Sequence, residues 1–351
     1  MKITNIDVEG YERVAQAEDP ETGLIAFIGV HDRTLGPALG GMRLWPYPDK
    51  DAALTDVLRL SRGMTYKSAV ARTGLGGGKS VIMADPSAKT PELLQAMGRF
   101  VDSFGGTYIT AEDVNIGVPD LLEVRKTTEY VTGLPMELGG SGNPSPATAL
   151  GTFEGIKACA LTLWGSEELT GRVVALQGAG SVGMFLGQHL VDAGAKILVA
   201  DVAAANVERA VKEFGAEVVD PDAIYDAECD IYAPCALGGT LNDDTIGRLK
   251  CQIVAGAANN QLLDEARHSV MVKEAGLLYA PDYVINAGGI INVSLELEPG
   301  GYRKEAAVAR VRNIHDALLS IFETAKRRDI TTHAAAQEVA EQNLAEAATT
   351  A

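Results

Sequence analysis

Two lysines beside a glycine-rich stretch are the residues of this chain whose types and spacing most suggest chemistry. Lys79 stands near the end of the stretch TGLGGGKS at residues 73–80, and Lys67 lies shortly before it. A phosphate-binding P-loop would need a glycine at the position that Thr73 holds, so that motif is excluded. Glycines are costly in backbone entropy, so this run predicts a loop that a small molecule approaches closely, with both lysines at one site.

A carboxylate from another part of the first half could join these lysines. Asp113 follows a predicted strand at residues 107–111, whereas Lys79 precedes a strand predicted at 80–84. Only the topology can show whether the two side chains meet. Taken alone, Asp113 fits a helix N-cap better than a catalytic role.

A second glycine motif, at residues 178–183, predicts a dinucleotide site. It reads GAGSVG, follows a predicted strand, opens a helix, and is followed by Asp201 at the end of the next strand. In such a turn Gly178 permits the tight bend, Gly180 lets a pyrophosphate reach the helix N-terminus, and Gly183 permits close helix packing. The carboxylate of Asp201 would bind the adenosine ribose and repel a 2′-phosphate, so the predicted cofactor is NAD.

Short apolar strands alternate with helices through both halves, which predicts an α/β fold. Residues 1–145 are predicted to form an α/β substrate-binding and oligomerisation domain, and residues 146–329 a doubly wound Rossmann-type NAD domain across a cleft. A glycine- and proline-rich cluster at 139–146 predicts the hinge. The C-terminal helix, 330–351, is expected to pack back onto the first domain. Residues 35–43, with four glycines or prolines in their first seven positions, are predicted to form an irregular loop.

Composition excludes several classes of protein. The chain has 351 residues and a formal net charge of -17, which would repel the phosphates of a nucleic acid. The N-terminus resembles no signal peptide, and we find no apolar run long enough to span a bilayer. The four cysteines lack zinc-type spacing and are expected to be reduced thiols, so no metal site and a cytoplasmic location are predicted.

Six motifs in both halves together resemble the amino-acid dehydrogenases, the superfamily of glutamate, leucine, valine, phenylalanine and tryptophan enzymes. The resemblance is greatest to the leucine enzymes and extends from about residue 10 to about residue 345. The motifs are GPALGG at 36–41, GMTYK at 63–67, GGGK at 76–79, AEDV at 111–114, APCALG at 233–238 and GAANNQ at 256–261.

This resemblance implies reversible, NAD-dependent oxidative deamination of an L-amino acid to a 2-oxo acid and ammonia. Lys67 would pair with the substrate carboxylate, Lys79 would activate water, and Asp113 would relay protons at the substrate nitrogen. A lysine acts as a base near neutral pH only when its pKa is lowered, which burial or the nearby ammonium of Lys67 would achieve. Closure of the domains about residues 139–146 would exclude water from the hydride step. A homo-oligomer is usual in this superfamily.

The resemblance also assigns further binding residues. Besides Lys67, the implied substrate site consists of Leu39, Gly40, Gly41, Ala111, Asn260, Ile290 and Val293. The implied cofactor site includes the glycine turn, with Ser181 and Val182, and Asp201. It also includes Cys235, Ala236, Asn259 and Asn286.

The substrate side chain and two rival functions stay open. Leu39, Ala111, Ile290 and Val293 are aliphatic and offer no cation for a second carboxylate, which favours a branched aliphatic amino acid such as leucine, valine or isoleucine over glutamate. Met42 and Asn115 depart from the leucine-enzyme pattern, so phenylalanine or tryptophan is the alternative substrate. The rivals are a non-catalytic NAD-sensing protein and an enzyme that uses Lys79 as a Schiff base.

Overall fold

The computed structural model describes residues 1–350 and divides into two compact units. Unit 1 comprises residues 1–143, 293–303 and the chain from residue 340 onward. Unit 2 comprises residues 144–292 and 304–339. The principal boundary therefore lies two residues from the predicted one, and segment 293–303 returns to unit 1 without having been predicted to do so. The C-terminal helix is expected to pack onto the first domain from residue 330, and the chain from residue 340 onward belongs to unit 1.

Unit 1 is built on a six-stranded mixed sheet in the order β1-β2-β3-β5-β4-β6. Helices α1 and α2 pack on its opposite faces, α1 through Val57 against Phe27 and α2 through Met97 and Phe100 against a larger core. The elements are β1 (Lys2–Ile6), β2 (Arg13–Asp19), β3 (Leu24–Asp32), β4 (Ala38–Trp45), α1 (Lys50–Ala71), β5 (Gly76–Met83), α2 (Pro91–Asp102), β6 (Tyr108–Ala111) and α3 (Val118–Arg125).

The two predicted loops of the first half are wrong in large part. Residues 38–43 belong to strand β4, and residues 76–79 belong to strand β5, which continues through the strand predicted at 80–84. Glycine is unfavourable in strands unless another backbone approaches closely. That condition holds here, because a Cβ on Gly40 would lie 1.7 Å from the carbonyl oxygen of Gly78, on the neighbouring strand.

Two helices of unit 1 begin directly after residues whose side chains cap them. Helix α1 begins after Asp49, whose side chain accepts a hydrogen bond from the backbone N–H of Ala52 at 2.8 Å. Helix α2 begins after Thr90, which caps it in the same way through Leu93. These caps satisfy N–H groups that an α-helix leaves without internal partners.

Unit 2 contains a six-stranded parallel sheet in the order β12-β11-β10-β7-β8-β9. Numbered within this sheet, the order is 3-2-1-4-5-6 from one edge to the other, which is the Rossmann arrangement. Its strands are β7 (Val173–Gln177), β8 (Lys196–Ala200), β9 (Glu217–Val218), β10 (Ile231–Pro234), β11 (Ile253–Val254) and β12 (Leu278–Tyr279). Successive strands are therefore added in opposite directions on the two sides of the boundary between β7 and β10, which is the place where such sheets bind dinucleotides.

The helices of the second half complete the chain. They are α4 (Ser145–Trp164), α5 (Ser181–Asp192), α6 (Ala204–Phe214), α7 (Glu265–Glu274), α8 (Asp282–Ile285), α9 (Gly288–Ser294), α10 (Lys304–Arg312), α11 (Ile314–Arg328) and α12 (Thr332–Thr350). Within residues 1–350, none of the helices combines the length and the apolar character that crossing a membrane requires.

Side-chain contacts explain why two late segments belong to unit 1. The carboxylate of Glu296 accepts hydrogen bonds from the backbone N–H groups of Ser141, at 2.7 Å, and Gly133, at 3.1 Å. Further along, Asn343 of α12 donates to the carbonyl oxygen of Ala69 at 3.0 Å and accepts from Arg72 at 3.0 Å. Neither set of partners has a pattern in the sequence that would predict it.

Candidate active site

Lys79 and Asp113 meet in unit 1. Strand β4 pairs in parallel with β5, with Met42 opposite Ser80, and with β6, with Gly41 opposite Ala111. This register places Lys79 of β5 beside the chain that leaves β6. Its Nζ lies 2.8 Å from Oδ2 of Asp113, and the two side chains are 8% and 20% exposed. The topology thus answers the question that the sequence left open.

A third charged residue, which the sequence analysis missed, contacts the same carboxylate oxygen. Nε of Arg43, on β4, lies 3.2 Å from Oδ2 of Asp113. Burial would raise the pKa of Asp113, but the charges of Lys79 and Arg43 and the Lys79 hydrogen bond outweigh burial and hold that pKa below its usual value. The arrangement is a carboxylate kept ionised by two cations in a mostly buried place.

Neighbouring protein atoms fill the positions that side chains would take at the glycines of this site. A Cβ on Gly41 would lie 2.4 Å from the carbonyl oxygen of Glu112 and 2.8 Å from Cβ of Asp113. One on Gly77 would lie 2.1 Å from the backbone nitrogen of Thr65, on α1. The prediction that this run forms a loop against which a ligand lies is therefore corrected: its glycines let strands and a helix approach one another, and Lys79 is carried by a strand.

The remaining predicted substrate residues lie in both units. In unit 1, Lys67 lies near the C-terminal end of α1 and is partly buried, Leu39 is buried on β4, and Ala111 ends β6. Val293, 7% exposed, also belongs to unit 1. Ile290, 8% exposed, and Asn260, in a left-handed conformation with φ of 52°, belong to unit 2.

The glycine turn of unit 2 has the geometry that phosphate binding needs. Gly178 has φ of +98°, and a Cβ there would lie 2.8 Å from the Ala236 backbone nitrogen. A Cβ on Gly183 would lie 2.0 Å from the carbonyl oxygen of Gly178. At Gly180, by contrast, an added Cβ would have no atom of the described residues within 4 Å. That open position precedes Ser181, the first residue of α5, where backbone N–H groups and the helix dipole favour an anion.

Asp201 is part of the same turn. Its Oδ2 accepts hydrogen bonds from the backbone N–H of Ala179, at 2.8 Å, and from Nδ2 of Asn206, at 3.1 Å, and its Oδ1 accepts from Ala203. Burial opposes ionisation, but these donors outweigh it and lower the pKa of Asp201. A carboxylate offers about four acceptor positions, so one position is left for a ribose hydroxyl.

The other predicted cofactor residues follow strands β10, β11 and β12. Oδ1 of Asn259 accepts a hydrogen bond from Nδ2 of Asn286 at 2.7 Å, so these two are brought together. Cys235 follows β10; its Sγ accepts a hydrogen bond from the backbone of Ala257 at 3.4 Å. Burial raises the pKa of Cys235 to about 12, which keeps the thiol protonated and argues against a reactive thiolate. Ala236 packs against Gly178, and Val182 lies in the first turn of α5.

A Rossmann sheet with this turn, in a chain that also carries a buried lysine–aspartate pair, defines a dinucleotide-dependent dehydrogenase. Residues 11–130 match the family model for the Glu/Leu/Phe/Val dehydrogenase dimerisation domain, and residues 199–351 match that for the Glutamate/Leucine/Phenylalanine/Valine dehydrogenases. The chain belongs to the Glu/Leu/Phe/Val dehydrogenase family and is an amino-acid dehydrogenase. The predicted family and the two-domain α/β fold are thereby confirmed.

This chain is similar to dehydrogenases that are named for three different amino acids. A leucine dehydrogenase of Thermoactinomyces intermedius is 52% identical over 346 residues, which is 98% of this chain and 94% of the relative. A phenylalanine dehydrogenase of the same organism is 44% identical, over 97% of this chain and 93% of its own length. The crystal structure of L-tryptophan dehydrogenase from Nostoc punctiforme superposes with a TM-score of 0.85 at 47% identity, covering 96% of this chain and 97% of that one.

Proposed function

We propose that this enzyme catalyses the NAD-dependent, reversible oxidative deamination of a branched-chain aliphatic L-amino acid to its 2-oxo acid and ammonia. The observation that carries this proposal is the contact of 2.8 Å between Lys79 and Asp113 inside unit 1. A buried amine beside an ionised carboxylate can exchange a proton with a bound water or with a substrate nitrogen. The 52% identity to a leucine dehydrogenase supports the substrate class.

In the proposed mechanism, each charged residue has one task. Lys67 pairs with the substrate carboxylate. NAD, when bound at the glycine turn, would accept a hydride from Cα and so leave an imine on the substrate. Lys79 would remove a proton from the water that attacks this imine. The product is a carbinolamine. Asp113 then relays the proton that Lys79 took from the water to the carbinolamine nitrogen, and the freed Lys79 accepts the hydroxyl proton as the C–N bond breaks, so that ammonia leaves and the 2-oxo acid remains.

The substrate side chain is proposed to contact Leu39, Ala111, Ile290 and Val293. All four are aliphatic, and a second carboxylate among them would be buried without a partner, which is costly. Gly40 and Gly41 are proposed to lie beside the substrate as well, with neighbouring backbone filling the space that their side chains would take, and Asn260 would bind near its reacting end. The second candidate function is an aromatic amino-acid dehydrogenase, because relatives with 44% and 47% identity act on phenylalanine and tryptophan by their names.

NAD is the proposed cofactor. Its pyrophosphate would lie at the open position of Gly180, against the N-terminus of α5 at Ser181, Val182 and Gly183. The remaining acceptor position of Asp201 would take a ribose hydroxyl, whereas a 2′-phosphate would meet its negative charge. Cys235, Ala236, Asn259 and Asn286 would contact the cofactor at the carboxyl ends of their strands. A cytoplasmic location stays a prediction.

The experiment that tests this function is NADH formation at mildly alkaline pH with L-leucine, L-valine, L-phenylalanine, L-tryptophan and L-glutamate, repeated with NADP. We expect kcat/KM to be highest for leucine and valine and to fall by about tenfold or more when NADP replaces NAD. A preference for an aromatic substrate would establish the second candidate function. Absence of turnover with the whole panel would contradict both candidates and favour a protein that binds NAD without catalysis.

A further inference from the structure

Arg43 lies between two carboxylates in unit 1 and joins them. Nε contacts Oδ2 of Asp113 at 3.2 Å, while Nη1 contacts Oδ2 of Asp56, on α1, at 3.0 Å. The side chain of Arg43 is 19% exposed and that of Asp56 is 16% exposed. Two carboxylate partners fix the orientation of this mostly buried guanidinium, because the group is planar and presents its N–H donors at set angles.

The far end of this chain of contacts is anchored as well. The hydroxyl of Tyr47 donates to the same Oδ2 of Asp56 at 2.6 Å. Arg59 donates to the other oxygen, Oδ1, at 3.2 Å, but its side chain is 63% exposed, so it contributes little to holding Asp56. Burial would lower the pKa of Arg43, but the charges of Asp113 and Asp56 raise it above the usual value. Arg43 therefore keeps its charge, and Asp56 keeps Arg43 in place.

The groups that surround Asp113 come from every neighbouring strand. They are Lys79 on β5, Arg43 on β4 and, on β6, the phenol of Tyr108, whose pKa is raised by burial and to a smaller extent by the charge of Asp113. Glu112 is adjacent in the chain, and burial raises its pKa. Both cations contact one oxygen, Oδ2, so that either can remain there when the other turns away.

We infer that Arg43, held by Asp56 and Tyr47, is a positioning residue that fixes the Asp113 carboxylate and remains its partner when Lys79 turns to the reacting water. This inference rests on the proposed function. In the reaction, Lys79 must exchange a proton with water and cannot at that moment also pair fully with Asp113. Without Arg43 the carboxylate would be left buried and unpaired, which is costly, and it would take up a proton.

The inference is tested with Arg43→Gln in the full-length enzyme, measured with its best amino-acid substrate and NAD. We expect kcat to fall by about tenfold or more while KM for the amino acid changes much less. Removal of a positive charge favours the protonated form of neighbouring groups, so the acid limb of the pH profile of kcat/KM should move to higher pH by about one unit. Affinity for NADH should be unchanged.

Two further variants separate positioning from damage to the fold. Arg43→Lys keeps the charge but not the two-sided geometry, so it should return the acid limb towards the wild-type position with only part of kcat. Arg59→Gln is the matched control: Arg59 contacts the same Asp56 but is 63% exposed. It should leave both kcat and the acid limb unchanged.

Several outcomes would overturn the inference. One is a kcat for Arg43→Gln within about twofold of the wild type. Another is a lower kcat with an unmoved acid limb and no recovery in Arg43→Lys, which would indicate structural damage alone. If Arg43→Gln does not fold, Asp56→Asn takes its place: kcat should fall by a smaller factor because Arg43 loses its support, and the acid limb should not move to higher pH because a negative charge is removed. An unchanged kcat in Asp56→Asn would then overturn the inference. If the wild-type enzyme turns over none of the amino acids in the panel, the proposed function fails instead, whatever Arg43 does. If Lys79→Ala retains turnover, Lys79 has no part in the mechanism, and the inference loses its premise.

Discussion

At the scale of single residues, the burial of Lys79 is the most informative feature. Only 7% of this residue is exposed, and a buried ammonium is tolerated only when it is paired. Its partner, Asp113, also binds Arg43, so the site holds two cations around one carboxylate oxygen. The second cation would keep the carboxylate paired if Lys79 released it during a reaction.

Removal of either member of this pair should abolish turnover. We expect Lys79→Ala and Asp113→Asn each to lower kcat by about a hundredfold or more, because proton transfer by a positioned side chain contributes that much. NADH binding, measured by fluorescence titration, should stay near the wild-type value, since the glycine turn lies in unit 2. An Asp113→Asn enzyme with normal turnover would show that Asp113 has a structural task only.

The sequence could reveal some of the candidate functional residues of the two units and not others. Lys67, Lys79 and Asp113 stand in motifs that resemble those of a known family, and Gly178 and Asp201 stand at a spacing with a physical reason. Arg43 does not, because its partners Asp113 and Asp56 lie 70 and 13 positions away in the chain. Only the pairing of β4 with its neighbours brings these side chains together.

At the scale of elements, the close packing of α1 on β5 depends on glycine. Strand β5 begins with three glycines, and a Cβ on Gly77 would lie 2.1 Å from both the backbone nitrogen and Oγ1 of Thr65. Glycine is depleted in strands, which is why the sequence predicted a loop here. Tertiary packing overrides that preference, since the helix could not approach the strand otherwise.

Gly77→Ala should therefore destabilise unit 1. We expect the free energy of unfolding to fall by about 1–3 kcal/mol, the usual cost of overpacking, because the clash is with backbone that cannot turn aside. Gly63→Ala is the control on the same helix, since a Cβ there would meet no described atom within 4 Å and alanine is the better helix former. Chemical denaturation measures both. Equal stability of Gly77→Ala and the wild type would contradict this account of the packing.

At the scale of the whole molecule, the sequence predicted the kind of fold better than the division of the chain. The alternation of strands and helices sufficed for two α/β domains, and the hinge cluster at 139–146 lies at the main boundary. Residues 293–303 belong to unit 1, where the carboxylate of Glu296 binds two backbone N–H groups. No periodicity or composition in this segment encodes such a contact.

We also expect the chain to associate with itself. Residues 11–130 match a family model described as a dimerisation domain. Light scattering coupled to size-exclusion chromatography should therefore give a mass at least about twice that of the 36.9 kDa chain. A mass equal to one chain at micromolar concentration would contradict this expectation. Such a result would not change the interpretation of the amino-acid panel, because turnover is measured independently of the oligomer's mass.

The glycines of β4 and β5 also limit how the specificity of this enzyme could be redesigned. Gly40, Gly41 and Gly78 lie on β4 and β5, close to Lys79. Replacing a glycine with alanine is an obvious way to narrow a binding site by one methyl group. Each such methyl would meet atoms of the protein itself at 2.8 Å or less. If Leu39 and Ala111 contact the substrate as proposed, mutant libraries are therefore better directed at these two residues, which already have side chains, than at the glycines.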